Sequence, residues 1–215
     1  MKLAQKNEKS LDEGTFFFRA RILPPLEEKN NEIYATYFTE EQMDAPPSVQ
    51  AREGRLNPVG ISYLYLADDK ETAVAETKPS IGARIQIGSY QLQKKIKVVN
   101  MCGGKDFLCK IGKSSYKEEE DLLWRVVQIS FLIPIIPESV TQLAYLPSQY
   151  ISEVFKYQGY EGVLFESVQR ENGKNLVLFN SSNAKQENRN SAETIIAKIE
   201  YSDYISEAKK NLGLK

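Results

Sequence analysis

Strand-like runs recur along this chain with linkers too brief to carry a parallel crossover, and that spacing limits the class of fold open to it. "TFFFRARIL" is apolar and aromatic and is stopped by Pro24 and Pro25. A short ordered piece over 33–38 precedes a loop broken by Pro46, Pro47, Gly54 and Pro58. "GISYLYLA" alternates, so that Ile61, Tyr63, Tyr65 and Ala67 share one face while Ser62, Leu64 and Leu66 share the other. "ARIQIGSYQL" and "KKIKVVNM" read as a pair of strands, and "EGVLFESV" and "KNLVLFNS" as a hairpin across "QRENG". The polar run "SSNAKQENRNSAE" separates these from a last strand, "TIIAKIEYSDY".

Three helices are expected among the strands. "DDKETAVAETKP" opens on a capping-box pair, Asp68 and Glu71, and ends at Pro79, with Ala73, Val74 and Ala75 small enough to sit close to a sheet. "SSYKEEEDLLWRVVQISFL" is amphipathic, with Leu122, Val126 and Ile129 on one stripe and Trp124 and Phe131 completing the core. "LPSQYISEVFKYQGY" has Pro147 in its first turn and Gly159 at its end. The expected fold is α+β, a mixed and largely antiparallel sheet with flanking helices. At 215 residues and 41% hydrophobic side chains, residues 16–215 are expected to form one domain behind a polar, frayed extension over 1–15.

Charge and composition exclude several chemistries. With 28 basic against 29 acidic side chains, no broad basic surface points to direct nucleic-acid binding. No histidine is present, which removes serine–histidine and cysteine–histidine nucleophile pairs. Cys102 and Cys109 suggest no zinc cluster and no disulfide framework, and they read as buried small hydrophobes in a reducing compartment. "GGKDFLCKIGKSS" fails the phosphate-loop spacing, because Phe107 stands where the first glycine is needed, and no G-x-G-x-x-G follows a strand. No apolar run reaches the roughly 18 residues of a membrane span, so a soluble cytoplasmic protein without a metal is expected.

From about Phe16 to Asn180 the chain resembles the RES domain family, toxins of bacterial toxin–antitoxin pairs. The resemblance is carried by "GRLNPVGISYLYLA…ETAVAE", by "YLPSQYISEVFKYQGYEGVLFES" and by "NLVLFN". Family members typically place a tyrosine ten residues after the arginine of a Gly-Arg-x-Asn turn and a glutamate eleven after the tyrosine. Arg55, Tyr65 and Glu76 keep both separations. The family serine falls at Ser167 in "GVLFES". The resemblance implies a fold similar to ADP-ribosyltransferase toxins, with NAD+ bound in a cleft as the substrate and its nicotinamide–ribose bond cleaved. Hydrolysis, phosphorolysis and transfer of ADP-ribose to a protein all remain open, as does a non-catalytic NAD-binding module. It further implies an Xre-like helix-turn-helix antitoxin as partner, with a homodimer also open. The N-terminal extension and the polar stretch after Asn180 depart from the family pattern.

The chemistry suits these residues. Nicotinamide leaves NAD+ as a neutral amide and needs no proton, so one carboxylate beside the oxocarbenium-like ribose suffices. Glu76 is expected in that role. Arg55, in a tight turn with Asn57 and Pro58, can clamp a pyrophosphate with its planar fork of donors. Asn57 is taken as a further substrate-binding residue. Tyr65 either stacks on nicotinamide or offers its hydroxyl to the ribose, and Tyr63 on the same face competes for the place. Ser167 is expected to face the cleft and bond a ribose or phosphate oxygen. Arg19 in "FFFRAR" is a second candidate phosphate contact, with a packing role equally open, and Tyr145, Gln149 and Tyr150 match the family without a role of their own.

Overall fold

The computed structural model describes residues 2–104, 119–132, 145–187 and 193–196. Helix α1 spans Lys2–Lys6, and the first strands are β1 (Glu8–Leu11), β2 (Phe16–Ile22), β3 (Glu27–Lys29) and β4 (Glu32–Tyr34). Then follow α2 (Glu40–Met43), β5 (Leu64–Ala67), α3 (Lys70–Glu76), β6 (Arg84–Leu92) and β7 (Ile96–Asn100). Helices α4 (Glu119–Ser130) and α5 (Leu146–Tyr157) precede β8 (Gly162–Glu166), β9 (Lys174–Leu178), β10 (Ala184–Glu187) and β11 (Glu193–Ile196).

Among the described residues, nine strands form one sheet in the order β1-β7-β8-β9-β5-β2-β6-β10, with β11 also paired to β6. Every ladder is antiparallel except β7 with β8, whose connection contains α4 and α5 and is long enough to cross over. The fold is therefore α+β with a mixed, largely antiparallel sheet. Period-2 alternation divides the core. Val163, Phe165, Val177 and Tyr63 pack on one face with Trp124, Phe131 and Phe155 of the helical layer. Leu164, Leu176, Leu178, Leu64 and Leu66 pack on the other with Tyr90, Leu92 and Leu11.

Several expectations need correction. The N-terminal segment is not frayed: β1 pairs with β7 from Glu8↔Val99 to Leu11↔Ile96, and Leu11 is buried. The polar run after Asn180 contains β10, paired along β6, whose alternating Lys185 and Glu187 are exposed while Ala184 is buried. On α4 the predicted stripe faces outward, with Leu122 and Val126 exposed at 42% and 54%. The inward face is Trp124, Gln128 and Phe131, where two rings and a bonded amide fill the space, Gln128 Nε2 donating to the Cys102 carbonyl at 2.6 Å. Helix α3 is capped by Asp69, whose side chain accepts from the Thr72 N–H, and not by Asp68. Asp68 is still held in the sheet, donating from its N–H to the Lys174 carbonyl and accepting from the Lys174 N–H. Cys102 is half-buried, while Cys109 and the final strand beyond Ile196 lie outside the described residues.

Candidate active site

Strands β2 and β5 share one register pair, Phe18↔Ala67, and a cleft of about 360 Å³ is lined from both sides of that junction. Phe18, Arg19 and Ala20 of β2 face Tyr65, Leu66 and Ala67 of β5, and Ala73 and Glu76 of α3 close one wall. Arg55, Tyr145, Phe165 and Asn175 complete it. The volume is that of a small-molecule site.

Glu76 reaches the cleft because α3 starts at a fixed point. Asp69 caps it, Arg170 bonds the same Asp69 carboxylate, and the buried Ala73 and Thr72 set the helix against the sheet. Glu76 Oε1 then accepts from Ser167 Oγ and from Asn175 Nδ2, each at 2.6 Å. Ser167 is fully buried behind the carboxylate, not on the cleft wall, because β8 ends at Glu166 and the chain turns there. Its hydroxyl accepts from the Gln169 and Arg170 N–H groups at 3.1 Å, which spends its lone pairs and leaves its hydrogen for Glu76.

The turn Gly54–Asn57 is held from three sides. Gly54 N–H donates to the Asn57 carbonyl at 2.9 Å, and Gln149 Nε2 donates to the carbonyls of Gly54 and Asn57 at 2.9 and 3.1 Å. Ser148 Oγ donates to the Arg55 carbonyl at 2.6 Å. The Tyr65 hydroxyl donates to Asn57 Oδ1 at 2.7 Å and accepts from the Leu56 N–H at 3.1 Å. Glycine is required at 54, since a Cβ there would collide with Asn57 Oδ1 and stand 2.7 Å from the Tyr65 hydroxyl. Gln149 and Ser148, from "YLPSQY", thus support the turn that presents Arg55.

Arg55 Nη1 donates to the Phe131 carbonyl at 2.7 Å, and its guanidinium lies 5.9 Å from the Tyr145 ring centre. Burial lowers its pKa, while the Tyr145 phenol and the Glu76 carboxylate pull it back up. Arg19 is also lowered by burial, and its Nη1 is buried without a hydrogen-bond partner among the described residues. Tyr65 lines the cleft and is pushed up by burial, so it stays a neutral phenol whose hydroxyl is committed to the turn.

The structure brings Glu76, Arg55, Tyr65 and Arg19 to one cleft, with Ser167 directly behind Glu76. It places two predicted residues elsewhere. Tyr63 shares the sheet face of Tyr65 but packs against Phe179, and its hydroxyl bonds Glu153 of α5. Asn57 is buried and braces the turn, its Nδ2 donating to the carbonyls of Arg52, Pro58 and Ile61. Tyr150 is exposed at 73%. Asn175 and Lys78, which also lines the cleft, went unnoticed in the sequence. An asparagine inside an otherwise apolar strand was the available signal. Among the described residues no group of acids and cysteines could hold a metal, and no helix is long and apolar enough to cross a membrane.

A family profile described as RES domain matches residues 31–199, well over half the chain. That span includes Arg55, Tyr65, Glu76 and Ser167 and leaves Arg19 outside it. No match is found among curated proteins. Among solved structures, one similar chain belongs to the M. tuberculosis MbcT–MbcA toxin–antitoxin complex, with 10% identity, a TM-score of 0.46, and coverage of 91% of this chain and 90% of that one.

Proposed function

The chain belongs to the RES domain family, and on that premise we propose that it binds NAD+ in the β2–β5 cleft and cleaves the nicotinamide–ribose bond. The observation that carries this reading is the meeting of one bonded carboxylate, Glu76, with two arginines and an aromatic ring in a single hollow. Arg55 and Arg19 supply the positive charge that a dinucleotide pyrophosphate requires, and the Tyr65 ring supplies a flat surface for nicotinamide. As the C1′–N1 bond breaks, its electron pair goes to the pyridine nitrogen and positive charge builds on the ribose. The Glu76 carboxylate stabilises that charge or grips a ribose hydroxyl. An incoming nucleophile then bonds to C1′ and gives up to solvent any proton that its attacking atom carries. Water as the nucleophile makes the protein a glycohydrolase, phosphate makes it a phosphorylase, and a protein side chain makes it an ADP-ribosyltransferase.

The family further supports a toxin held in check by an antitoxin partner that closes the cleft. The test incubates purified protein with NAD+, with and without inorganic phosphate and candidate proteins, and follows nicotinamide and the fate of ADP-ribose. Release of nicotinamide is expected from the wild type and not from Glu76→Gln. An intact dinucleotide under all conditions contradicts the reading.

A further inference from the structure

Asn175 opens the buried stretch of β9 and is 6% exposed, while Leu176, Val177 and Leu178 behind it are fully buried. Its register neighbours are Ala67 on β5 and Phe165 on β8, both apolar. A primary amide in such a place costs stability unless it is bonded. The bond it makes goes to the Glu76 carboxylate, 99 positions away in sequence, at 2.6 Å. Ser167 Oγ donates to the same oxygen at 2.6 Å. Two donors from different strand ends on Oε1 fix the last torsion of Glu76 and leave Oε2 as the oxygen without a bond among the described residues.

We infer that Asn175 is a positioning residue: together with Ser167 it sets the rotation of the Glu76 carboxyl so that Oε2 is offered to the ribose. This rests on the NAD+-cleavage reading for the chemistry served, but the contact itself can be tested apart from it. Asn175→Asp turns the amide–carboxylate contact into a pair of carboxyls. While the pair keeps one proton, the introduced carboxyl can donate to Oε1 as the amide does. Once that proton leaves, two like charges share the contact and the geometry is lost.

Nicotinamide release by the Asp variant is therefore expected to survive at acidic pH and fall as pH rises, an alkaline limb absent from the wild type. Asn175→Ala lowers kcat by about 10²-fold at every pH with KM little changed, as a misplaced catalytic group does. Independently of activity, denaturant unfolding at about pH 5 and about pH 8 reports the contact. The Asp variant loses more stability at the higher pH, and adding Glu76→Gln removes the difference. A pH profile superimposable on that of an active wild type, or unfolding with no such coupling, overturns the inference. A wild type that releases no nicotinamide refutes the cleavage reading instead, and the unfolding cycle then decides whether Asn175 holds Glu76.

Discussion

Tyr63, just before β5, and Tyr65 within it lie two positions apart on one face of the sheet, yet their hydroxyls go to different parts of the molecule, one to Glu153 on α5 and one to the Arg55 turn. Alternation alone places both on that face and says nothing about where a phenol ends. The family separation favours Tyr65, and the geometry places Tyr65 at the cleft with its hydroxyl bonded to the Arg55 turn. Tyr65→Phe leaves Asn57 Oδ1 and the Leu56 N–H without their partner and is expected to cost about 1–3 kcal/mol of stability. Tyr63→Phe is expected to leave nicotinamide release at the wild-type rate. Comparison of the two variants by urea unfolding and by release assay checks both statements, and a larger loss of release for Tyr63→Phe would reverse the assignment. Glu76, Arg55 and Ser167 were legible as positions from spacing, but the bond from Ser167 to Glu76 was not, because it joins a helix end to a strand end 91 positions apart.

At the level of elements, the site depends on where α3 begins. Of the two adjacent acids, Asp68 has the capping-box partner Glu71 three residues on, yet the cap falls on Asp69 because Asp68 remains paired with Lys174 in the sheet. A sequence cannot show how far a strand's pairing runs. The same limit applies to α4, where two apolar stripes compete and the bulk of Trp124 and Phe131 decides which one faces the sheet. Burial tends to raise the Asp69 carboxyl, but bonds from Thr72 and Arg170 outweigh it and hold the pKa below the usual carboxylate range. A depressed folded-state value means that the stabilisation is present above the unfolded value and is lost as pH falls through the folded one. Asp69→Ala should therefore cost about 1 kcal/mol at neutral pH, and the gap to wild type should close toward acid. Nicotinamide release should fall with it, since Glu76 is the last residue of the helix. Denaturant unfolding at neutral and acidic pH, with the release assay alongside, checks this. A gap that widens in acid would contradict the assignment of the cap.

Across the whole molecule, the class of fold followed from short linkers, and the single parallel pair, β7 with β8, is the one whose connection carries two helices. The sheet edges were less legible. Both β1 and β10 are polar strands, and their pairing depends on partners 85 to 98 positions away, β7 for β1 and β6 for β10. Leu11 anchors β1 in the core beside Ile96 and Val98, so Leu11→Ala should cost about 2 kcal/mol and appear as a lowered Tm. An unchanged Tm would mean that β1 adds nothing to stability. Tyr63, Tyr65 and Tyr90 are each pushed up, chiefly by burial. Their stabilising contribution is full below the ordinary tyrosine value of about 10 and declines as pH rises above it, so the fold should weaken in base. All of this serves to hold one carboxylate opposite two guanidiniums and a ring. The most direct measurement of that claim is nicotinamide release from NAD+ by wild-type protein and by Glu76→Gln, with folding of the variant verified by unfolding. Release by the wild type and none by the folded variant is predicted, and equal release by both would contradict the account.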